Sequence, residues 1–434
     1  MGTDHAMTDV SQCMKLHLRH TATLAALALI LAACGAGIDD ASTQTTGSAG
    51  TTEPSLAATT PDETTATEAT SESGSVVAAP EGPSALDAAP NGLSGEGFPE
   101  PLIDTERLLQ GQVPDGIPSI DTPRFVRIDA ADEWLTDDEA VVILDINGDV
   151  RAYPIQILMW HEIVNDTVGE VPVAITYCPL CNSAVTYERR IDGHLTTFGT
   201  SGFLFNSALV MYDRATESLW THFDGSAVAG VRTGTRLEPI SSPLLAWADF
   251  KNAHPDGLVL DVERTGHSRP YGSNPYGGYD NPDSFPFLFD GEVDDRAAAK
   301  QRVVGVNVEG FSMAWTLEAV SGDGPTTTHA TVGGSAVVVF WKPGQASALD
   351  SSGVDAGRDV GSVRVFRPQV ESQSLTFEPI DDAFVDVETG SEWNILGEAT
   401  NGPLAGEKLE PIAHLDTFWF AWLSYNPATE FMGS

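Results

Sequence analysis

The feature that most constrains this chain is a block that occurs twice. Gly234-Thr235-Arg236-Leu237-Glu238-Pro239-Ile240 returns as Gly406-Glu407-Lys408-Leu409-Glu410-Pro411-Ile412. Three further blocks recur in the same order. Val141-Val142 with Asn147 to Tyr153 matches Val303-Val304 with Glu309 to Trp315. Thr167-Val168-Gly169 matches Thr331-Val332-Gly333, and Val173 to Ala184 lies over Val337 to Ala348. Trp220 and Trp393 precede the Gly234 and Gly406 blocks at nearly the same distance, and each half closes on an aromatic stretch, at Trp247 and at Phe418 to Trp422. Blocks repeated in fixed order are the mark of one supersecondary unit used twice. The expected units span about 125–262 and 300–432, with residues 263–299 as the loop between them.

The N-terminal part sets the expected compartment. Lys15, His17, Arg19 and His20 are followed by the apolar run Thr21 to Leu31 and by Leu31-Ala32-Ala33-Cys34. A basic patch, a short apolar run and small residues at a cleavage point make a secretory signal. The ending resembles a bacterial lipobox, which assigns residues 1–33 to a lipoprotein signal peptide and Cys34 to lipidation. The apolar run is too short to span a bilayer. Residues 34–97 are rich in Thr, Ser, Ala and Glu, with no aromatic residue before Phe98. Such a segment cannot bury enough apolar surface to offset its ordering entropy, so it is expected to be a disordered tether. The domain at 98–434 is then expected on the extracytoplasmic face of the cell membrane. Formal net charge is -40, with only 22 Lys and Arg, which argues against nucleic acid as a partner.

Within a unit the pattern is mostly strand. Val141 to Leu144 runs into Asn147-Gly148, a strong hairpin signal, and returns through Val150 and Ala152. Pro154 to Val164 carries apolar residues at helical spacing, with proline at the first turn. Val171, Val173, Ile175 and Tyr177 alternate as a strand. The expected class is α+β: antiparallel sheets with one or two short helices in each of two duplicated units. The loop between units, with Arg269-Pro270-Tyr271 and Pro275-Tyr276-Gly277-Gly278-Tyr279, is long enough to serve as a lid.

The chemistry concentrates in Cys178-Pro179-Leu180-Cys181. Under the repeat alignment Cys178 becomes Lys342, Cys181 becomes Gln345 and His222 becomes Ile395. The segment around His161 and Glu162 becomes Ser321-Gly322-Asp323-Gly324. One half keeps the whole set and the other loses it, as expected for members of one site. Several stretches resemble the bacterial and archaeal family catalogued as domain of unknown function 3179. They are Trp160 to Asp166, Tyr177 to Ala184, Val210-Met211-Tyr212-Asp213-Arg214, Ser218-Leu219-Trp220 and Arg269-Pro270-Tyr271. The resemblance covers roughly 115–434. It implies an extracytoplasmic globular domain and carries no activity with it.

A Cys-x-x-Cys turn between strands can aim two sulfurs at one ion. Cys178 and Cys181 with His161 and His222 would then bind a soft metal such as zinc or copper, with Glu162 as an acid or supporting group. Catalytic roles fall to Glu162, Cys178 and Cys181. Two alternatives stand beside the metal site. The pair could cycle between dithiol and disulfide, although the strand at Ala184 to Tyr187 differs from the long helix that follows the thioredoxin motif. Or it could be a structural disulfide in a non-catalytic binding or scaffold module. Such a short loop would add little stability. A protein or small-molecule partner is not specified by these residues.

Overall fold

The computed structural model describes residues 78–433 apart from 94 and 96. Cys34, the signal segment and most of the tether lie outside the described residues.

The first half opens with the hairpin β1 (Ala140–Ile146) and β2 (Asp149–Pro154), turned at Asn147 and Gly148, both at positive φ. Helix α1 (Ile155–His161) follows, then a meander of β3 (Ile163–Val168), β4 (Val171–Cys178) and β5 (Ser183–Glu188). A second meander contains β6 (Phe198–Phe205), β7 (Ala208–Asp213), β8 (Leu219–Thr221) and β9 (Ala227–Ala229). β10 (Leu244–Ala246) returns to pair with β1, α2 (Trp247–Ala253) caps it, and β11 (Leu258–Leu260) adds to β2 in parallel.

The second half uses the same order of pairings. β12 (Arg302–Val308) and β13 (Phe311–Thr316) form its hairpin, followed by α3 (Leu317–Val320). β14 (Thr326–Val332), β15 (Ser335–Lys342) and β16 (Ser362–Phe366) form its first meander. β17 (Phe377–Ile380), β18 (Ala383–Asp386), β19 (Glu392–Trp393) and β20 (Ala399–Asn401) form its second. β21 (His414–Phe418) pairs with β12, α4 (Trp419–Tyr425) follows, and β22 (Glu430–Met432) joins β13 in parallel.

One side-chain network occurs in both halves. Trp220 Nε1 donates to Asp213 Oδ2 at 2.9 Å, and Trp393 Nε1 donates to Asp386 Oδ2 at 3.0 Å. The same carboxylates accept from Thr216 at 2.7 Å and Thr389 at 2.9 Å. These threonines contact Ser218 and Ser391. The strand register shifts at the tryptophan in both places.

Among the described residues the class is largely β, at 39% strand and 10% helix, which corrects the α+β expectation. The reason is local. The helical spacing from Pro154 to Val164 is cut at Glu162, which takes a positive φ of 56°. Beyond it, β-branched Ile163, Val164, Thr167 and Val168 are better placed in a strand than in a helix. In the second half Gly322, Gly324 and Pro325 hold the helix to Leu317–Val320. Among the described residues no helix is long and apolar enough to cross a membrane.

The two halves share a core. One apolar cluster contains Cys178, Cys181 and Trp220 together with Phe418 to Trp422. Gly305 lies so close to the Trp422 ring that a Cβ there would stand 2.4 Å from it.

The tryptophan networks are a stability prediction. Asp213 and Asp386 are almost fully buried. Removing either carboxylate strands an indole N–H and a threonine hydroxyl, at about 2–4 kcal/mol together. Asp386→Ala and Asp213→Ala should each show that loss in urea unfolding, whereas a loss below about 0.5 kcal/mol in either variant would show that its network holds nothing.

Candidate functional site

β4 and β5 place the site by their register. Cys178 pairs with Ser183 and Thr176 with Val185, so all four share one face of the hairpin. Residues 179–182 make the turn, with Asn182 at a positive φ that asparagine tolerates. Both cysteines are free thiols, 1% and 0% exposed.

A chain of hydrogen bonds runs behind Cys181. Thr176 Oγ1 donates to the Val185 carbonyl at 2.6 Å. It therefore accepts from His222 Nδ1 at 2.8 Å. His222 Nε2 is then the bare nitrogen, and Ser183 Oγ donates to it at 2.7 Å. Ser183 Oγ is left to accept from the Cys181 thiol at 2.9 Å. Burial lowers the His222 pKa to about 3, so its imidazole stays neutral. Thr176 and Ser183 are members that sequence analysis did not single out. Their signal was the period-two spacing that puts Thr176 beside Cys178 and Ser183 across from it.

The two thiols differ. Burial acts to raise the Cys178 pKa, but the neighbouring Cys181 side chain and the amides of Leu209, Cys181 and Leu180 outweigh it, and the net shift is downward. Cys181 is raised by burial and by its neighbour Cys178. Glu162 is buried and lies in the field of the Cys178 sulfur; burial first, then that charge, raises its pKa well above the usual carboxylate value. A non-glycine residue at positive φ with a buried carboxyl is costly, a combination that gathers at functional sites.

His161 does not join the sulfurs. Its Nδ1 donates to the Pro118 carbonyl at 2.7 Å, and its Nε2 accepts from the Tyr271 hydroxyl at 2.7 Å. Both ring nitrogens of His222 are committed as well. The expected metal set of Cys178, Cys181, His161 and His222 therefore does not converge. Among the described residues no three His, Cys, Asp or Glu side chains gather as an ion would require. His161 instead anchors the loop between the halves. Tyr271, Tyr276, Tyr279 and Phe287 of that loop pack on the cluster that holds the cysteines.

The second half shows what stands in the equivalent place. Lys342, at the end of β15, occupies the position of Cys178 and pairs with the Asp249 carboxylate of α2 at 3.0 Å. Asp249 also accepts from Ser362 at 2.7 Å, and Ser362 starts β16 as Ser183 starts β5. Residues 343–361 separate these strands, where the first half has only 179–182. The match of Cys181 to Gln345 is corrected by this insertion: Gln345 lies inside the long loop and has no counterpart in the turn.

The chain belongs to the family described as protein of unknown function (DUF3179), which it matches over residues 114–429. No curated protein and no solved structure matches it.

The two histidines lend themselves to one test. Burial lowers His161 to about 4 and His222 to about 3, below the ordinary 6.5. The unfolded chain takes up these protons first, so the stability each neutral ring contributes is full above pH 6.5. It is lost as pH falls toward the folded value, by about 1.4 kcal/mol per unit for each ring. Glu162, raised by burial, has the opposite sign and cancels when variants that keep it are compared. His222→Ala and His161→Ala should each destabilise by about 2–4 kcal/mol at neutral pH. Both deficits should shrink as pH drops below 6.5. Only His222→Ala should alter the thiol titration. An equal effect of His161→Ala on the thiols would place His161 in the site after all.

Proposed function

We propose that this protein is a thiol–disulfide redox protein held on the extracytoplasmic face of the membrane through lipidated Cys34. The hydrogen-bond arrangement that separates an amide-cradled Cys178 from a proton-bearing Cys181 carries this reading. In it, the Cys178 thiolate attacks one sulfur of a partner disulfide, and the leaving sulfur takes the Glu162 proton. Cys181 then passes its proton to the Glu162 carboxylate and displaces the remaining partner sulfur. The site ends as a Cys178–Cys181 disulfide, and the partner disulfide is reduced by two electrons. The loop at 263–299 serves as the lid that admits the partner, since both sulfurs are otherwise covered. The two halves are copies of one unit, of which the second keeps the frame without the thiols.

Equilibration of the reduced protein in graded glutathione buffers, with thiol counting by mass after denaturing alkylation, tests the chemistry. A reversible two-electron couple is expected, lost in Cys178→Ser. Cys181→Ser should trap a mixed disulfide on Cys178. A disulfide that forms but cannot be reduced without unfolding would make the pair structural. Stoichiometric zinc or copper lost in Cys178→Ser would restore the metal reading instead.

The anchor is tested separately. Intact mass of protein extracted from bacterial membranes should show residues 1–33 absent and Cys34 diacylated. Unmodified Cys34 with the upstream segment retained would remove the anchor.

A further inference from the structure

The Cys178–Cys181 turn is held by the half that lacks cysteines. The Cys181 carbonyl accepts from Thr417 Oγ1 at 2.6 Å and from the Phe418 amide at 3.2 Å. Asn182, the next residue, donates through Nδ2 to the Asp416 carbonyl at 3.3 Å and accepts from the Tyr177 hydroxyl at 3.3 Å. Asp416, Thr417 and Phe418 of β21 are all buried. Asp416 is itself fixed by Arg302, through Nη2 at 2.5 Å and Nε at 3.2 Å. Arg302 also reaches Asp280 at 3.5 Å, and its side chain is only 3% exposed. A bidentate buried pair of this kind has one geometry and little freedom to leave it.

We infer that Thr417 is a positioning residue for the thiol pair, acting through the Cys181 carbonyl. The inference rests on the redox reading above. Cys181 offers its amide to the Cys178 sulfur on one side and its carbonyl to Thr417 on the other. Fixing the carbonyl fixes the peptide plane that follows and limits rotation of the residue whose amide cradles the thiolate. The hydroxyl is well suited to this, because threonine in a strand is stiff at χ1. The second half thereby supplies a rigid bracket for chemistry it does not perform.

The test is the pH dependence of thiolate formation at Cys178, followed by ultraviolet absorbance of the folded protein against a Cys178→Ser control. Thr417→Val keeps the shape and removes the donor. Thr417→Ser keeps the donor. Loss of one buried hydrogen bond corresponds to about a three- to tenfold change. Thr417→Val should weaken the acid dissociation of Cys178 by about that factor, and shift the glutathione equilibrium toward the disulfide. Thr417→Ser should restore both. Val306→Ala, a cavity in neighbouring β12, should lower stability without moving either. An ordinary thiol titration in the unmodified protein would overturn the redox reading, and this inference with it. A lowered titration that Thr417→Val leaves unchanged would overturn the positioning role alone. So would a change that Val306→Ala reproduces.

Discussion

The Val185 carbonyl can only accept a hydrogen bond, and that fact directs the protons from Thr176 through to Cys181. Thr176 must donate to it, so His222 must donate to Thr176, and Ser183 must donate to His222. The order ends at Cys181, whose thiol is left to donate. In a β core where nearly every buried polar group has to be paired, such a chain has no cheap alternative arrangement. The neutral state of His222 follows from the same burial. So does the asymmetry of the thiols, because Cys178 receives amides while Cys181 faces a hydroxyl already committed elsewhere.

The second half meets the same geometric demand with different chemistry. A side chain at the end of the central strand must be satisfied where the two halves meet. In the first half that side chain is a sulfur held by amides. In the second it is Lys342, neutralised by Asp249. The helix of the opposite half reflects the exchange: α2 offers Asp249 to Lys342, whereas α4 has Ala421 at the matching place. A carboxylate there would put a negative charge into the buried cluster that also holds Cys178 and oppose the thiolate. The small residue and the thiol site are therefore consistent with each other.

Much of the frame was legible because it depends on local rules. Asn147-Gly148 fixed a hairpin, alternation fixed β4, and the repeated blocks marked strands that pair in the same order in each half. The errors arose where tertiary context decides. Apolar spacing alone ran the first helix through Ile163, because it does not register that Glu162 turns the backbone. Pro179 and Pro343 looked equivalent, yet the strand after Pro343 begins only at Ser362. An insertion of that kind is invisible to matching by eye when both sides start with the same turn residue. The cysteines and His222 were readable as a set lost together. His161 vanished with them for another reason: it ties the loop at Tyr271 to the helix that delivers Glu162.

Glu162 shows how helix termination and chemistry are joined. The helix ends with Glu162 at positive φ, its amide still bonded to Leu158 at 2.7 Å and its carbonyl accepting from Tyr177 at 2.8 Å. Those two backbone bonds hold it between α1 and β4, one residue before β3 begins. A glycine would make that turn with less strain and supply no carboxyl. An ordinary helix end would leave the carboxyl in water, where its acidity would be normal. Placing an acid in the left-handed region therefore serves burial. It brings a carboxyl into the field of Cys178 at a depth where proton affinity is raised, and the backbone strain is borne by α1 and β4, both rigidly packed.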